Sequence, residues 1–325
     1  MRLQIFDLDP ESYEPHRLHG PDRHWTETNC WTDMMIELLH VLGLDPVAAG
    51  AATLATDFDG DNWTTFKFPL EDLRALYGLV VTEQYVWRPV IDHLSDHLAR
   101  GNLLTVEVDA WYLPDTAGIT YRTAHTKTGV VMQMLDRENR RLGYFHNAGY
   151  FELGGEDFDG VFYLPDGPDP TNLLPYVELV RLDRVRHDDE RRLVDNVVAL
   201  TRRHLAERPT TNPLPRLGAR LEADLGWLAT AGDDVFHPYA FGTARQCGAN
   251  AEIAASFVAW LDDHDGGGLD KAAEAFTVMA AKAKGLEFSL ARASRGRTVD
   301  LSGPLAEMSQ AWDTAMEIMV DRYGT

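Results

Sequence analysis

The hydrophobic pattern of this chain changes twice along its length, and these changes limit the folds it can adopt. Residues 1–25 show no sustained period and are expected to be an irregular arm. Between about residues 30 and 101 helical spacing recurs in separate segments, and from there to residue 164 Val, Thr and aromatic runs are typical of antiparallel strands. After about residue 186 the spacing is helical throughout. We therefore predict an α+β domain over residues 1–180 and an all-α helical domain over residues 181–325.

Two finer predictions belong to this outline. The stretch GVFYL, residues 160–164, has the composition of a further strand, and the Pro- and Asp-rich residues 164–175 are predicted to be a connector. Of the 325 residues, 45% are hydrophobic, which is enough to build a large core.

Charge and cysteine content exclude several classes of protein. The formal net charge of -21 opposes a sequence-independent grip on nucleic acid, so we expect no nucleic-acid partner. No basic-then-apolar leader precedes residue 26 and no apolar run is long enough to span a bilayer, so we expect a cytoplasmic protein without a membrane partner. The two cysteines form neither a disulfide framework nor a CxxC pair, so each serves packing or chemistry.

Cys30 lies where an amphipathic helix is predicted to begin. The residues with helical apolar spacing after it are Trp31, Met34, Met35, Leu38, Leu39 and Leu42. Thr28 or Asn29 is the expected N-cap, and Gly43 ends the helix. A thiolate at a helix N-terminus beside an imidazole is a strong nucleophile, whereas a lone cysteine at a helix start is more often core packing.

Downstream residues favour the nucleophile. His125 opens the strand HTKTGVVMQML, and the next strand, across the turn DRENRR, carries His146 and Asn147. If the two strands pair antiparallel, the start of the first meets the end of the second, which would bring His125 close to Asn147. Cys, His and Asn on a helix and two strands follow the order of papain-like enzymes, with His146 as an alternative partner for the base.

The same segments resemble a known group of enzymes. NCWTDMMIELLHVLGLDP, followed by the hairpin containing GVV and LGYFHNAG, is similar to the N-terminal domain of the butirosin biosynthesis protein H group, which are papain-like acyltransferases. DFDGDNWTTFKFPLEDLRALYGL and VDAWYLPDTAGITYRTAHTKTGV resemble more closely an uncharacterised bacterial family often encoded beside amino acid:carrier protein ligases.

The resemblance implies a papain-like domain in which Cys30 is the nucleophile, His125 the general base and Asn147 the residue that orients it. It also implies transfer of an acyl or aminoacyl group from a carrier-protein thioester to a small-molecule amine. The partner would be a carrier protein that bears phosphopantetheine, and no cofactor would be bound by this chain itself. Many papain-like proteases place Gln about six residues before the cysteine, where this chain has His24, so the oxyanion candidates are His24 and Asn29.

Substrate-binding candidates come from two loops. Asp61 and Trp63 could hold the ammonium and side chain of an aminoacyl group, or could belong to a capped surface turn. The loop leading into His125 supplies the others, although two of them, Asp109 and Tyr121, could equally form a structural hydrogen bond with each other. These candidates are Asp109, Trp111, Asp115, Tyr121 and Lys127.

No metal site is predicted. The Asp57 loop lacks the Gly and Glu of an EF-hand, and His93 with His97 favours a solvated helix face over a metal site. Arginines between residues 181 and 208 could dock a carrier protein or form a salt-bridged solvent face. Cys247 lacks the ordered His and Asn that follow Cys30, so it is predicted to pack in a helix. The rival functions are a non-catalytic carrier-protein or metabolite binding module, and a thioesterase or amidase using the same residues.

Overall fold

The computed structural model describes residues 2–164 and 174–324, apart from the side chains of residues 233 and 234. The chain divides into two compact units that interleave in sequence. The first unit comprises residues 1–17, 29–44 and 73–187, and the second comprises residues 18–28, 45–72 and 188–325. The predicted α+β class is confirmed. The predicted boundary between residues 180 and 181 missed two earlier segments, residues 18–28 and 45–72, which pack with the C-terminal helices.

The first unit is built on an antiparallel sheet. Its seven strands within the described residues are β1 (Arg2–Gln4), β2 (Val80–Glu83), β3 (Leu103–Asp109), β4 (Lys127–Asp136), β5 (Arg141–His146), β6 (Gly149–Gly154) and β7 (Val177–Arg181). The strand order is β2-β7-β3-β4-β5-β6, and β1 pairs with β4. The strands β2 and β7 were not predicted, because each is only four or five residues long.

Helix α1 (Cys30–Val41) packs against β4 and β5. It begins at Cys30 because the side chain of Asn29 accepts a hydrogen bond from Thr32 N at 3.1 Å, which satisfies a first-turn amide. Gly43 follows the helix with φ of +68°, a conformation that favours glycine. The predicted helix start, its cap and its end are therefore confirmed, with Asn29 as the cap.

The remaining helices of this part of the chain are α2 (Leu70–Tyr77), α3 (Val90–Ala99) and α4 (Glu156–Phe162). The predicted strand at residues 160–164 is wrong, because α4 covers residues 156–162. The rings of Phe158 and Phe162, four residues apart, meet at 4.9 Å on one helical face, so helical spacing prevails over strand propensity here. The predicted connector at residues 164–175 falls mainly on residues that lie outside the described residues.

The described part of the second unit is helical. Its helices are α5 (Glu190–Ala206), α6 (Leu214–Ala231), α7 (Asp233–Ala240), α8 (Gln246–His264), α9 (Asp270–Ala293) and α10 (Ser302–Tyr323). A 3₁₀ segment, Pro46–Ala55, packs against α5 and α8, and a short π-helix, Phe241–Arg245, precedes α8. Helix α8 is almost wholly buried and forms the centre of this unit. Within the described ranges, no helix has the length and apolarity needed to cross a membrane.

Candidate functional site

Cys30 occupies the first residue of α1 and is partly exposed. A Cβ atom built on Gly129 of β4 would lie 3.9 Å from Cys30 Sγ, so the thiol sits directly against the sheet at a residue without a side chain. The amide N–H groups of the first helical turn point toward this end of α1. The Asn29 side-chain oxygen accepts from Thr32 N, which holds this side chain at the start of the helix and leaves its amide nitrogen as the group that could donate to an oxyanion.

The sheet face that contacts Cys30 continues with charged side chains. Glu107 lies opposite Gly129 in the β3–β4 register, and Asp109 lies opposite Lys127. Residues directly opposite each other, and residues two apart along a strand, share a face of the sheet. Glu107, Asp109 and Lys127 therefore project on the face that bears Cys30, where Lys127 Nζ donates to Glu107 Oε1 at 2.7 Å.

His125 pairs with Asp109 beyond this row. Its Nδ1 lies 2.6 Å from Asp109 Oδ2, and its ring stacks on Trp111 with a centroid distance of 4.4 Å and an interplanar angle of 8°. Asp109 Oδ1 in turn accepts a hydrogen bond from Trp111 N at 3.0 Å. The carboxylate and the indole thus fix the imidazole, which is 66% exposed and has Nε2 outside the pair with Asp109.

Asn147 does not orient His125. The register pairs Val131 with Phe145, and its continuation places Gly129, not His125, opposite Asn147. His125 precedes Gly129 by four residues, which is about 13 Å of extended strand. Asn147 has φ of +45° in the two-residue turn between β5 and β6, a role for which asparagine is well suited. The predicted Cys30, His125 and Asn147 constellation is therefore corrected, with Asp109 as the partner of the histidine.

His146, the alternative partner, belongs to a buried cluster on the opposite face of the sheet. Its Nε2 lies 2.9 Å from Thr128 Oγ1, and its Nδ1 lies 2.6 Å from Asp115 Oδ2. Tyr144 also donates to Asp115. Burial, followed by the charge of Asp115, raises the pKa of Tyr144 above its usual range, so the hydroxyl remains a donor. The Asp115 carboxylate, 4% exposed, is therefore the acceptor that holds this buried cluster together.

The structure separates the other candidate, Tyr121, from Asp109. Tyr121 donates to Asp157 Oδ2 at 3.0 Å, and Arg122 pairs with the other oxygen of that carboxylate. These contacts fasten the loop before β4 onto α4. Of the five loop candidates, the structure brings Asp109, Trp111 and Lys127 to the face that bears Cys30.

A buried carboxylate that contacts Trp31, the residue after Cys30, was missed in the sequence. Glu178 of β7 is 5% exposed and accepts hydrogen bonds from Trp31 Nε1 at 3.1 Å and Thr105 Oγ1 at 2.8 Å. Tyr176 donates to its other oxygen at 3.2 Å, and burial, followed by Glu178, raises the pKa of Tyr176 to about 12. The only sequence signal was an acidic residue within the apolar run YVELV.

Comparison with family models identifies the chain. A model described as the DUF1839 N-terminal domain matches residues 14–182, and one described as the DUF1839 C-terminal domain matches residues 190–321. The chain belongs to the DUF1839 family. None of the curated proteins compared with it is significantly similar. The resemblance to the butirosin biosynthesis protein H group stays a prediction from the sequence.

Three predicted site residues of this DUF1839 chain belong to the second compact unit. Trp63 is 1% exposed, and its backbone N donates to Gly242 O at 2.8 Å. Asp61 accepts from Asn62 Nδ2 at 2.8 Å and lies 3.4 Å from Arg220, so its carboxylate supports the loop. The exposed oxyanion candidate His24 has its backbone N on Glu252 Oε1 at 2.9 Å. The structure thus buries Trp63 and leaves the Asp61 carboxylate exposed beside Arg220, and none of the three residues lies in the unit that contains Cys30.

The arginine-rich segment at the DUF1839 domain boundary is engaged in internal contacts. Its paired arginines are Arg181 with Asp183, Arg186 with the carbonyl of Arg74, Arg192 with Asp188, and Arg203 with Asp72. These contacts favour the salt-bridged interpretation over a basic docking face. Cys247 is fully buried and burial raises its thiol pKa, which confirms the prediction of helix packing.

The predicted solvated face of His93 and His97 is wrong. His93 is 3% exposed, and in the described residues His93 Nε2 and His97 Nδ1 are buried without a hydrogen-bond partner. The helix turns this face inward because Leu94 and Leu98 lie beside it. No group of three or more His, Cys, Asp or Glu side chains suited to a metal ion occurs in the described part of the chain.

These two histidines predict acid sensitivity. Burial, followed by the charge of Arg88 for His93 and of Arg100 for His97, lowers both pKa values below the usual 6.5. The unfolded chain therefore takes up protons first as the pH falls, so the free energy of unfolding decreases below about pH 6.5. Urea unfolding at about pH 7.5 and 5.5 measures this loss, which should be smaller in a His97→Gln variant. An equal loss in the variant and the wild type would contradict the role of His97.

Proposed function

We propose that this DUF1839 protein is a cysteine-dependent acyl- or aminoacyltransferase whose acyl-enzyme forms on Cys30. The observation that carries the proposal is the position of a partly exposed cysteine at the N-terminus of α1, on the sheet face that also carries the Asp109–His125 pair. A cysteine at a helix N-terminus is a recurrent setting for thiolate chemistry. The first unit would then be a papain-like domain with an altered base position.

The reaction would occur in two steps, acylation of Cys30 and aminolysis of the acyl-enzyme. The Cys30 thiolate attacks the carbonyl carbon of a thioester, a C–S bond to Cys30 forms as the C–S bond to the donor breaks, and the donor leaves as a thiolate. An amine then attacks the acyl-Cys30 carbonyl, the amide bond forms, and the Cys30 thiolate is restored. His125 accepts the proton lost by the amine, while Asp109 holds its ring.

His125 lies too far along this face to contact Cys30 directly. Catalytic contacts often tighten only when substrate is bound. The proposal therefore requires the exposed segment ahead of β4 to bring the imidazole toward the acyl group during transfer. Asp109 is the last residue of β3 and stays with the sheet, so the imidazole would swing about this carboxylate, with Trp111 beside it in the turn that follows β3.

The charge of the face supports an aminoacyl group or an amine acceptor. Glu107 and Asp109 project there, Glu178 is buried on the same face opposite Thr105, and Lys127 is already paired with Glu107. An ammonium group would be attracted to this surface, whereas a free carboxylate would be repelled. The carrier protein and its phosphopantetheine as the donor rest on the sequence resemblance.

Intact-protein mass spectrometry tests the proposal. The wild-type protein is mixed with carrier-bound aminoacyl thioesters and with their pantetheine analogues. A mass gain equal to the aminoacyl group, located at Cys30 by peptide mapping, supports acyl transfer. Loss of that mass in buffer alone would assign a thioesterase, and loss only with an added amine would assign a transferase. Absence of any adduct across the panel would reject the proposal.

Asp109 gives a second test. We expect Asp109→Asn to slow aminolysis of the acyl-enzyme by about 10²–10⁴-fold, because the imidazole loses the group that sets its tautomer and orientation. Acylation of Cys30 should change much less. Lys127→Gln, directly opposite Asp109 on β4, is the matched control, and single-turnover rates are the measurement. Equal effects of the two substitutions would show that Asp109 acts only through the surface charge.

A non-catalytic binding module is the second candidate function. The observation that favours it is Gly129, which occupies the row beside Cys30 and opposite Asn147 where an imidazole would be expected. In this case the same face would hold a carrier protein or metabolite without a covalent step. Tight thioester binding that persists in a Cys30→Ala variant, with no adduct in the wild type, would support the module.

A further inference from the structure

The first unit contains an apolar cavity of about 230 Å³ that has no role in the reaction steps proposed above. Its walls come from the segment after β2, the end of α4 and the residues before β7. The residues that define its chemistry are Val86, Trp87, Val90, Phe162, Tyr163 and Leu174. We call it the aromatic cavity.

The aromatic cavity lies at the same end of the sheet as Cys30. Gln84 N donates to Val177 O at 2.8 Å, and Glu107 N donates to Tyr176 O at 2.9 Å, so the cavity segments directly extend β2 and β7 beside β3. Glu107 is the residue opposite Gly129, against which Cys30 packs. Burial, followed by the charge of Asp109, raises the pKa of Tyr163, which places this wall residue within electrostatic range of the His125 pair.

The chemistry of the lining selects an uncharged ligand. Among the described lining residues Arg88 is the charged one, and its guanidinium is paired with Asp96 at 2.6 Å and stacked on Trp87 at 4.9 Å. Trp87 is 70% exposed and Leu174 is 50% exposed, which are high values for such apolar side chains. An enclosed apolar cavity of about 150 Å³ holds a benzene molecule, so this larger space accepts a substituted ring.

We propose that the aromatic cavity binds a compact, uncharged apolar group, such as a phenyl ring, carried by one of the two substrates of the transfer. That a substrate carries this group rests on the proposed function. Binding of the group in the cavity does not. Either the acyl donor or the acceptor amine could carry the ring, and the two steps of the reaction distinguish them.

The binding experiment uses 4-fluorophenylacetamide with the full-length protein, observed by ¹⁹F NMR. We expect saturable binding to the wild type and to Cys30→Ala. Val90→Trp fills the cavity from a half-buried position and should raise the Kd at least about tenfold, the loss expected when an apolar group of this size is no longer buried. Trp87→Ala, at an exposed position that folding tolerates, should raise it roughly two- to tenfold.

Val278→Trp is the matched control, because Val278 is an exposed valine of α9 outside the cavity. Its Kd should equal that of the wild type. Equal affinity in the wild type, Val90→Trp and Trp87→Ala would overturn the proposal, since the amide would then bind elsewhere. Absence of binding to the wild type would overturn it as well.

The rate experiment assigns the substrate. S-phenylacetyl and S-acetyl pantetheine are compared in acylation of Cys30, and benzylamine and methylamine are compared in aminolysis of acetyl-Cys30. A preference for the ring in one step, lost in Val90→Trp, names the substrate that enters the cavity. Equal rates in both steps would overturn the link to the substrate. If the fluorinated amide binds as expected but no thioester acylates Cys30, the proposed function fails and the cavity remains a ligand site.

Discussion

Cys30→Ser should reduce acyl-enzyme formation by at least about a thousandfold, because a serine hydroxyl without an adjacent imidazole is a far weaker nucleophile than a thiolate. Cys30 is the first residue of α1 and contacts the glycine at position 129, so the substitution changes one atom and leaves the helix cap in place. The measurement is the rate of mass gain with a pantetheine thioester, with the folded fraction checked by thermal unfolding.

The second cysteine of the chain provides the control. Cys247 is fully buried in α8, so it cannot meet a thioester while the protein is folded. Cys247→Ala should therefore keep the wild-type rate per folded molecule, although its stability will decrease. If the rate of acyl-enzyme formation fell in Cys247→Ala but not in Cys30→Ser, Cys30 would not be the nucleophile.

Asp115→Ala should decrease the free energy of unfolding by about 3–5 kcal/mol, the usual result of removing one partner from a buried polar pair. The side chains of Asp115 and His146 are 4% and 2% exposed, and Tyr144 donates to the same carboxylate. The substitution would leave the imidazole and the phenol without their acceptor in a place that water does not reach. Urea unfolding midpoints give the change.

Asp159→Ala is the matched control for this carboxylate. Asp159 forms an ion pair with Arg140 at the surface, where such a pair contributes at most about 1 kcal/mol. Below its unfolding transition, Asp115→Ala should acylate Cys30 at a rate within about twofold of the wild type. Unchanged stability combined with a lost rate would instead return Asp115 to the reacting site, as the sequence had suggested.

Local sequence signals predicted the elements that carry the candidate site. Asn29 before Cys30 and Gly43 after the last turn mark the ends of α1, and both act through groups within a few residues of themselves. The hairpin of β4 and β5 was predicted because runs rich in Val, Thr and aromatic residues flank a polar turn. The stretch from Asp109 to His125 was identified as a site loop, but no local rule indicated that its two ends would join.

Register decided the composition of the site. A shift along a strand moves a side chain by about 3.3 Å per residue and reverses its face. Counting from the ends of the strands placed His125 beside Asn147, whereas the bulge between Met132 and Met134 and the late start of β4 place Gly129 there. The sheet therefore pairs His125 with Asp109 and buries His146 on the other face with Asp115.

The sequence by itself determined the α+β class, the helix that starts at Cys30 and the helical second half, because caps, glycines and hydrophobic spacing act over a few residues. Only the tertiary structure decided which of the predicted residues meet. In the folded chain Trp31 donates a hydrogen bond to Glu178, and Asp61 and Trp63 belong to the second unit. The aromatic cavity forms where three separate segments meet. These outcomes depend on long-range packing and strand register, which no short stretch of sequence specifies.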